Sequence, residues 1–379
     1  MNKKLVVGIT AEGSVNLLRG QLLHFKSLGY DTYLLAPYSE RVLNYCKEEQ
    51  CQHLCINIAR EISIWQDIKA LIIIISIFKK INPDIVNVGT PKMGLLGMIA
   101  AKLLGVKKRI YTCRGFRYEH EKGLKRKVLI IMERVTSLCA NEIVCISPSV
   151  KELGISDGIF NTNKCQVIFK GSSNGINTDR FNPNVVDESA KLSLLKELGL
   201  SNSFIYGFVG RLIDRKGISE LFKAFEIVYA TDENIRLLIV GPLEFEQISD
   251  KDLVHKLQNH PAIVMPGRTD NVPLYLSILD VFVLPAWWEG FGNVLVEAAA
   301  MGIPVISTKG TGTRDAVGDG FNGILVDVKS TNQLADAMIE IKNNDEKRLR
   351  MGKNGIEWAK NFRNETIWNG LNEIYQNKK

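Results

Sequence analysis

Two groups of residues late in the chain have the types and spacing to hold a diphosphate. Glu289-Gly-Phe-Gly-Asn-Val-Leu-Val-Glu297 follows an apolar strand pattern, Val281–Leu284, and a loop, Pro285–Trp288. Gly290 and Gly292 let backbone approach a ligand closely. From about Asn293 the run is helical in pattern, so its free N–H groups and positive dipole end face the loop, where they suit a diphosphate. Glu289 before the helix and Glu297 one turn inside it can reach different hydroxyl groups of one ligand flanking the phosphates. A glycine-rich helix start with solvated carboxylates is the plainer alternative. Gly210-Arg-Leu-Ile-Asp-Arg-Lys-Gly217, directly after the strand pattern Phe204–Val209, favours the ligand site. Arg211 offers a planar fork and Lys216 a point charge, and both stand where they could neutralise the same anion from a neighbouring strand end.

These loops need a scaffold of parallel strands. Strand patterns at Lys4–Ile9, Thr32–Leu35, Asp84–Val88, Arg109–Cys113, Glu142–Ile146 and Gln166–Phe169 alternate with helix patterns such as Val15–Leu28 and Lys92–Leu104. After a polar stretch near Asn177–Ser189 the series restarts with Phe204–Val209, Arg236–Val240, Ala262–Met265, Val281–Leu284 and Pro304–Ser307. Repeated strand–helix alternation predicts parallel sheets covered on both faces, with ligands at the carboxyl ends of the strands. At 379 residues the chain exceeds the size of a single growing core. The fold class expected is therefore α/β, with two Rossmann-like doubly wound domains, residues 1–180 and 181–364. Asn177–Asn202 reads as linker and the start of the second domain, and a last helix, near 365–379, is a candidate to return to the first domain.

Charge and cysteine usage narrow the setting. Residues 1–180 hold 26 Lys and Arg against 15 Asp and Glu, and the remainder 22 against 26. The first domain is thus the one suited to an anionic partner or membrane surface. Met1–Lys4 is basic but no apolar leader core follows, so a secretory signal is not expected. Ala70–Phe78, with four consecutive isoleucines, is too short to span a bilayer and reads as one buried helix. Seven cysteines, all in the first 165 residues, suit reduced thiols. Cys46, Cys51, His53 and Cys55 match no usual zinc spacing. The one Asp-x-Asp, Asp250-Lys-Asp252, reads as a solvated face, so no metal site is expected.

With these motifs in hand, the chain resembles the retaining glycosyltransferases of the GT-B fold, family 4. Glu289 and Glu297 seven residues apart, Gly210-Arg211 and Lys216-Gly217 carry the likeness, joined by Ser172-Ser173-Asn174-Gly175-Ile176-Asn177 and Gly302-Ile303-Pro304-Val305-Ile306. Thr90-Pro91-Lys92-Met93-Gly94 and Thr112-Cys113-Arg114-Gly115 are similar to the branch that builds bacterial capsule and O-antigen. The resemblance implies a nucleotide-sugar domain at the C-terminal end and an acceptor domain at the N-terminal end. Arg211 and Lys216 would bind the diphosphate and stabilise the charge growing on it. Glu297 would hold the ribose and Glu289 the donor sugar. Gly210, the backbone of Phe291, Gly292 and Asn293, and the adjoining Val294 would line the donor site. Arg268 and Thr269 would lie against the base, and Gly13 and Ser14 beneath the diphosphate. No cofactor or metal would be needed, and the leaving phosphate would help deprotonate the acceptor.

The chain departs from the pattern in one loop. Many members place a histidine after the strand equivalent to Arg109–Cys113, where this sequence reads Arg114-Gly-Phe-Arg-Tyr-Glu-His120. Arg114, Arg117 and Glu119 are the expected sugar contacts there; His120 and Lys92 are further acceptor-side candidates. Lys122–Arg134 joins a basic cluster to a stripe of Leu124, Val128, Ile131, Met132 and Val135, expected to face the core, with the basic residues suited to anionic head groups. The resulting expectation is a cytoplasmic enzyme, peripheral on the inner face of the plasma membrane, moving an N-acetylhexosamine from a UDP donor to a polyprenyl-diphosphate-linked saccharide. Rival readings are a GT-B sugar-nucleotide 2-epimerase and a non-catalytic nucleotide-sugar-binding subunit. A nicotinamide dehydrogenase fits poorly, since Gly8 and Gly13 are wrongly spaced. Nucleic acid is not an expected partner.

Overall fold

The computed structural model describes residues 2–59 and 63–377. The chain forms two compact units, Met1–Gly175 with Asn364–Lys379, and Ile176–Arg363. The change of unit thus falls at Gly175, ahead of residue 180, and the stretch read as linker and domain start lies in the second unit.

The first unit runs β1 (Lys4–Gly8), α1 (Gln21–Ser27), β2 (Asp31–Ala36), α2 (Glu40–Glu48), β3 (Gln52–Cys55) and α3 (Ile64–Ile81). It continues with β4 (Ile85–Val88), α4 (Pro91–Leu103), β5 (Lys108–Cys113), α5 (Gly123–Cys139), β6 (Glu142–Cys145), α6 (Pro148–Ser156) and β7 (Cys165–Val167). Its strands form one parallel sheet in the order β3-β2-β1-β4-β5-β6-β7. Central strands such as Leu5–Val7 and Ile85–Val88 are buried throughout, as a sheet covered on both faces requires. One face packs on Ala70, Ile74 and Phe78 of α3, Met93 and Leu96 of α4 and Leu129 of α5. The other packs on Leu22 and Phe25 of α1, Val42 of α2, and on Ile367, Leu371, Ile374 and Tyr375 of the chain's last helix. That helix is tied in by hydrogen bonds from Trp368 Nε1 to Asn174 Oδ1 (2.7 Å) and from Asn87 Nδ2 to the Tyr375 hydroxyl (2.6 Å).

The second unit runs α7 (Glu188–Glu197), β8 (Phe204–Val209), α8 (Ile218–Tyr229), β9 (Ile235–Val240), α9 (Lys251–Asn259), β10 (Ile263–Gly267) and α10 (Val272–Leu276). There follow β11 (Val281–Leu284), α11 (Asn293–Ala300), β12 (Val305–Thr308), α12 (Thr313–Ala316), β13 (Gly323–Val326), α13 (Thr331–Asn343) and α14 (Asp345–Ala359); α15 (Asn364–Gln376) is the last helix, in the first unit. The sheet is again parallel, ordered β10-β9-β8-β11-β12-β13. Helix α8 lies against α13 and α11 against α14.

Several local expectations are corrected. Strands β3 and β13 were not anticipated; both are short edge strands, one reading Gln-His-Leu-Cys and the other opening on glycine, with little alternation to mark them. The helix expected over Val15–Leu28 is a 3-10 turn, Glu12–Leu18, followed by α1, because Gly20 takes a left-handed φ of 79° beneath the Trp368 ring. The isoleucine-rich stretch is not wholly buried: α3 buries Ala70, Ile74 and Phe78 at i, i+4 spacing and exposes Ile72 and Ile73. In α5 the buried face is Leu129, Glu133, Thr136 and Cys139, so Leu124 and Ile131 of the stripe expected inside are exposed. Among the described residues no helix is long and apolar enough to cross a membrane.

Candidate functional site

In the second unit the strand order reverses between β8 and β11, so the loops leaving those strands flank the crevice where such sheets bind ligands. After β8 the chain reaches a 3-10 turn, Asp214–Lys216, and enters α8 through Gly217. Only glycine fits there: φ is +73° and an added Cβ would lie 2.0 Å from the Pro285 carbonyl oxygen in the loop after β11. This close approach seats the two loops against each other. The Lys216 ammonium pairs with the Glu289 carboxylate, and Arg215 Nη1 lies 3.5 Å from the same Oε1. Burial pushes the Glu289 carboxyl up, but Lys216, Arg215 and Arg211 together outweigh it and hold the group below the usual carboxylate range. Glu289 is therefore a buried, ionised acceptor at neutral pH.

The loop is braced on both sides. Arg215 stacks on the Trp288 ring at 4.8 Å, and Trp287 Nε1 donates to Glu220 Oε1 at 3.1 Å. Glu289 N–H donates to the Thr311 carbonyl at 2.9 Å, and an added Cβ on Gly312 would lie 2.3 Å from the Glu289 carbonyl oxygen. Phe291 is buried against Phe362, with ring centroids 5.1 Å apart, so its backbone rather than its ring is left for a ligand. Gly292, at φ +83°, starts α11 with no side-chain cap and no acidic residue in the first turn. The amino end of α11, at Asn293 and Val294, thus turns its positive dipole end to the loop, where it suits an anion. One turn on, burial pushes the Glu297 carboxyl up to about 7, with the Arg180 charge opposing.

The structure does not gather every expected residue. Arg211 is half-exposed and faces Glu244 at 3.5 Å, on the β9 side of the crevice. Arg268 and Thr269 follow β10, two strands from β8, where Arg268 is exposed and pairs loosely with Asp270 at 3.8 Å. Three contributors went unrecognised in the sequence: Arg215, the loop Gly310–Thr313, and Arg180, which donates to the Asp270 carbonyl at 2.7 Å. Alternating glycines in Gly310-Thr-Gly-Thr313 after a strand pattern were the available signal for the second; Arg215 lay unremarked inside the quoted motif.

In the first unit the order reverses between β1 and β4. There the Thr10 and Thr90 hydroxyls are 2.6 Å apart, linking the loop after β1 to the start of α4. Gly13 and Ser14 lie in the 3-10 turn, and nothing occupies the space where a Gly13 Cβ would point. Lys92 is buried and paired with Asp67 at 2.7 Å. Arg114 closes β5; Arg117, Glu119 and His120 fall in a 3-10 turn that exposes Arg117 and His120 and buries Tyr118 between them. Among the described residues no group of three His, Cys, Asp or Glu side chains is placed to hold a metal, and Cys46, Cys51, Cys55, Cys113, Cys139, Cys145 and Cys165 are free thiols.

Two parallel Rossmann-like units, one with a cation–carboxylate cluster at its switch point, define the class: the chain belongs to the glycosyltransferases of the GT-B fold. Residues 193–358 match the family described as Glycosyl transferases group 1, and residues 10–147 that described as Glycosyl transferase 4-like. The chain is 35% identical over 376 residues to the capsular polysaccharide biosynthesis glycosyltransferase CapM of Staphylococcus aureus, covering 99% of this chain and 97% of that protein. It is 28% identical over 355 residues, 91% of this chain and 86% of the relative, to an Escherichia coli UDP-Gal:α-D-GlcNAc-diphosphoundecaprenol α-1,3-galactosyltransferase. Its fold is that of Anabaena HepE, solved in complex with UDP and glucose, at a TM-score of 0.82 and 17% identity over 98% of this chain and 99% of that one.

Proposed function

We propose that this glycosyltransferase moves a sugar, with retention of configuration, from a UDP donor held by the second unit to a lipid-diphosphate-linked saccharide held by the first, in assembly of a capsule or related surface polysaccharide. The observation that carries the reading is the Lys216–Glu289–Arg215 cluster beside the amino end of α11, whose first turn carries no acidic residue. An ionised, buried Glu289 can accept hydrogen bonds from donor-sugar hydroxyls, while Lys216, Arg211 and the α11 amides neutralise the diphosphate. As the bond from the anomeric carbon to the phosphate oxygen breaks, the acceptor oxygen bonds to that carbon on the same face. The acceptor proton passes to the leaving phosphate, giving UDP. The basic groups supply the charge stabilisation that a divalent ion provides elsewhere, so no metal is required on this reading. CapM supports the capsule assignment, and the E. coli relative the lipid-linked acceptor.

The donor sugar proposed is an N-acetylhexosamine; UDP-galactose, the donor in the relative's name, is the competing choice. A calorimetric panel of UDP-N-acetylglucosamine, UDP-N-acetylgalactosamine, UDP-galactose and GDP-mannose on wild type and Lys216→Met tests the site. Binding of one UDP-sugar, lost in the variant, supports it; binding of none refutes it. Incubating that donor alone and finding an epimer would instead favour an isomerase. Association with the inner face of the plasma membrane is part of the proposal. Trp65, Ile64 and Ile72 on α3 are 80%, 72% and 61% exposed, and Leu124 and Ile131 on α5 are 77% and 57% exposed beside Lys122, Lys125 and Lys127. Apolar side chains ringed by lysines suit an anionic bilayer surface. Failure to co-sediment with vesicles rich in phosphatidylglycerol would overturn that part.

A further inference from the structure

Arg114 stands at the carboxyl end of β5, beside the switch point of the first unit. Its Nε donates to Ser173 Oγ at 2.8 Å. Its Nη1 lies over Gly89 at the end of β4, 1.6 Å from where a Cβ on that residue would be, so only glycine admits the guanidinium there. Among the described residues no carboxylate pairs with it, and its charged surroundings are limited to the neutral phenols of Tyr111 and Tyr375 and the Cys113 thiol. Loss of water without a compensating anion pulls the Arg114 pKa down to about 10. Gly89 is followed at once by Thr90, which precedes the thirteen-residue α4; that helix has no acidic residue in its first turn, and its Met93 N–H donates to the Thr10 hydroxyl at 3.3 Å. A guanidinium whose two amino groups make no hydrogen bond among the described residues therefore stands beside the start of α4.

We propose that Arg114, beside the start of α4, forms a subsite for an anionic oxygen group, carboxylate or phosphate, on the molecule bound by the first unit. The inference rests on the reading of that unit as the acceptor side, and it makes Arg114 a specificity-determining contact. The two sources are the diphosphate of a lipid-linked acceptor and the carboxylate of an acidic sugar.

Calorimetry with paired probes separates them. One pair is N-acetylglucosamine on farnesyl diphosphate and on an uncharged farnesyl ether; the other is octyl glucuronide and octyl glucoside. Wild type should bind the charged member of one pair at least about tenfold more tightly than its neutral twin. Arg114→Met should erase that preference and leave neutral-probe affinity within about twofold, whereas Arg114→Lys should retain part of it. The pair that responds names the anion. Equal affinity for both members of both pairs in wild type, or a preference that survives Arg114→Met, would overturn the subsite. Circular dichroism melts on the same samples show that the variant is folded, and UDP titrations bear on the proposed function independently of the anion probes.

Discussion

Lys216→Met removes the nearer cation from a carboxylate that the fold has buried. Both side chains are largely enclosed, 12% exposed for Lys216 and 15% for Glu289, so solvent screens the pair weakly. Breaking such a pair by deleting one partner costs about 3–5 kcal/mol. Arg215 stays 3.5 Å from Glu289 and recovers part of this, leaving about 2–3 kcal/mol. In a unit of this size that lowers the melting temperature by roughly 5–10 °C. Glu289 sets the pH dependence. In wild type its depressed pKa gives stability that is present above the ordinary carboxylate range and lost only as pH falls through the lower folded value. In the variant burial dominates and the pKa rises, so the deficit is largest near pH 8 and shrinks toward pH 5 as Glu289 takes a proton. Urea unfolding followed by tryptophan fluorescence reads both units, with Trp287, Trp288 and Trp358 in the second and Trp65 and Trp368 in the first, so the variant's shift is taken from the transition that moves. Lys216→Met/Glu289→Gln should return to within about 1 kcal/mol of wild type without recovering UDP binding. A single variant within 0.5 kcal/mol of wild type, or a deficit that neither low pH nor the second substitution relieves, would refute the reasoning.

Glu297, raised by burial to about 7, weakens the apo fold as pH climbs from 4.5 through that value. Glu297→Gln should therefore stabilise the apo protein at pH 8 by up to about 3 kcal/mol in urea titrations and leave pH 4 stability unchanged, while weakening UDP affinity. Gly217→Ala, with its Cβ driven against the Pro285 carbonyl, should cost over about 3 kcal/mol, read as a lower melting temperature or loss of soluble protein. Trp65→Ser with Ile72→Ser should reduce sedimentation with phosphatidylglycerol vesicles several-fold and leave UDP titrations unchanged. Transfer activity should persist in excess EDTA; its loss, restored by a divalent ion, would remove the metal-free mechanism.

Much of the scaffold was legible because its signals are local. Phe204–Val209 and Val281–Leu284 are apolar, β-branched or aromatic runs of strand length, and Gly292-Asn293 marks a helix start whichever fold surrounds it. The edges were not legible: β3 and β13 are strands because a neighbour offers a ladder, and their own residues alternate too little to announce it. The apolar stripes of α3 and α5 show the same limit, since periodicity marks which residues share a face but not which face a neighbour covers.

The sequence by itself determined that glycine turns, cations and carboxylates sit at strand-to-helix junctions, where backbone N–H groups must be left for a ligand. Tertiary structure decided which of them meet. Lys216 and Glu289 touch because β8 and β11 are neighbours across the switch point, while Arg268, expected against the base, follows β10, two strands from β8. It also settled the charge states. Glu289 is ionised because Lys216 and Arg215 enclose it, whereas the fold desolvates Arg114 and sets no carboxylate against it among the described residues. Residue type fixes which proton can leave; only the fold sets the desolvation and the partner that decide whether it does.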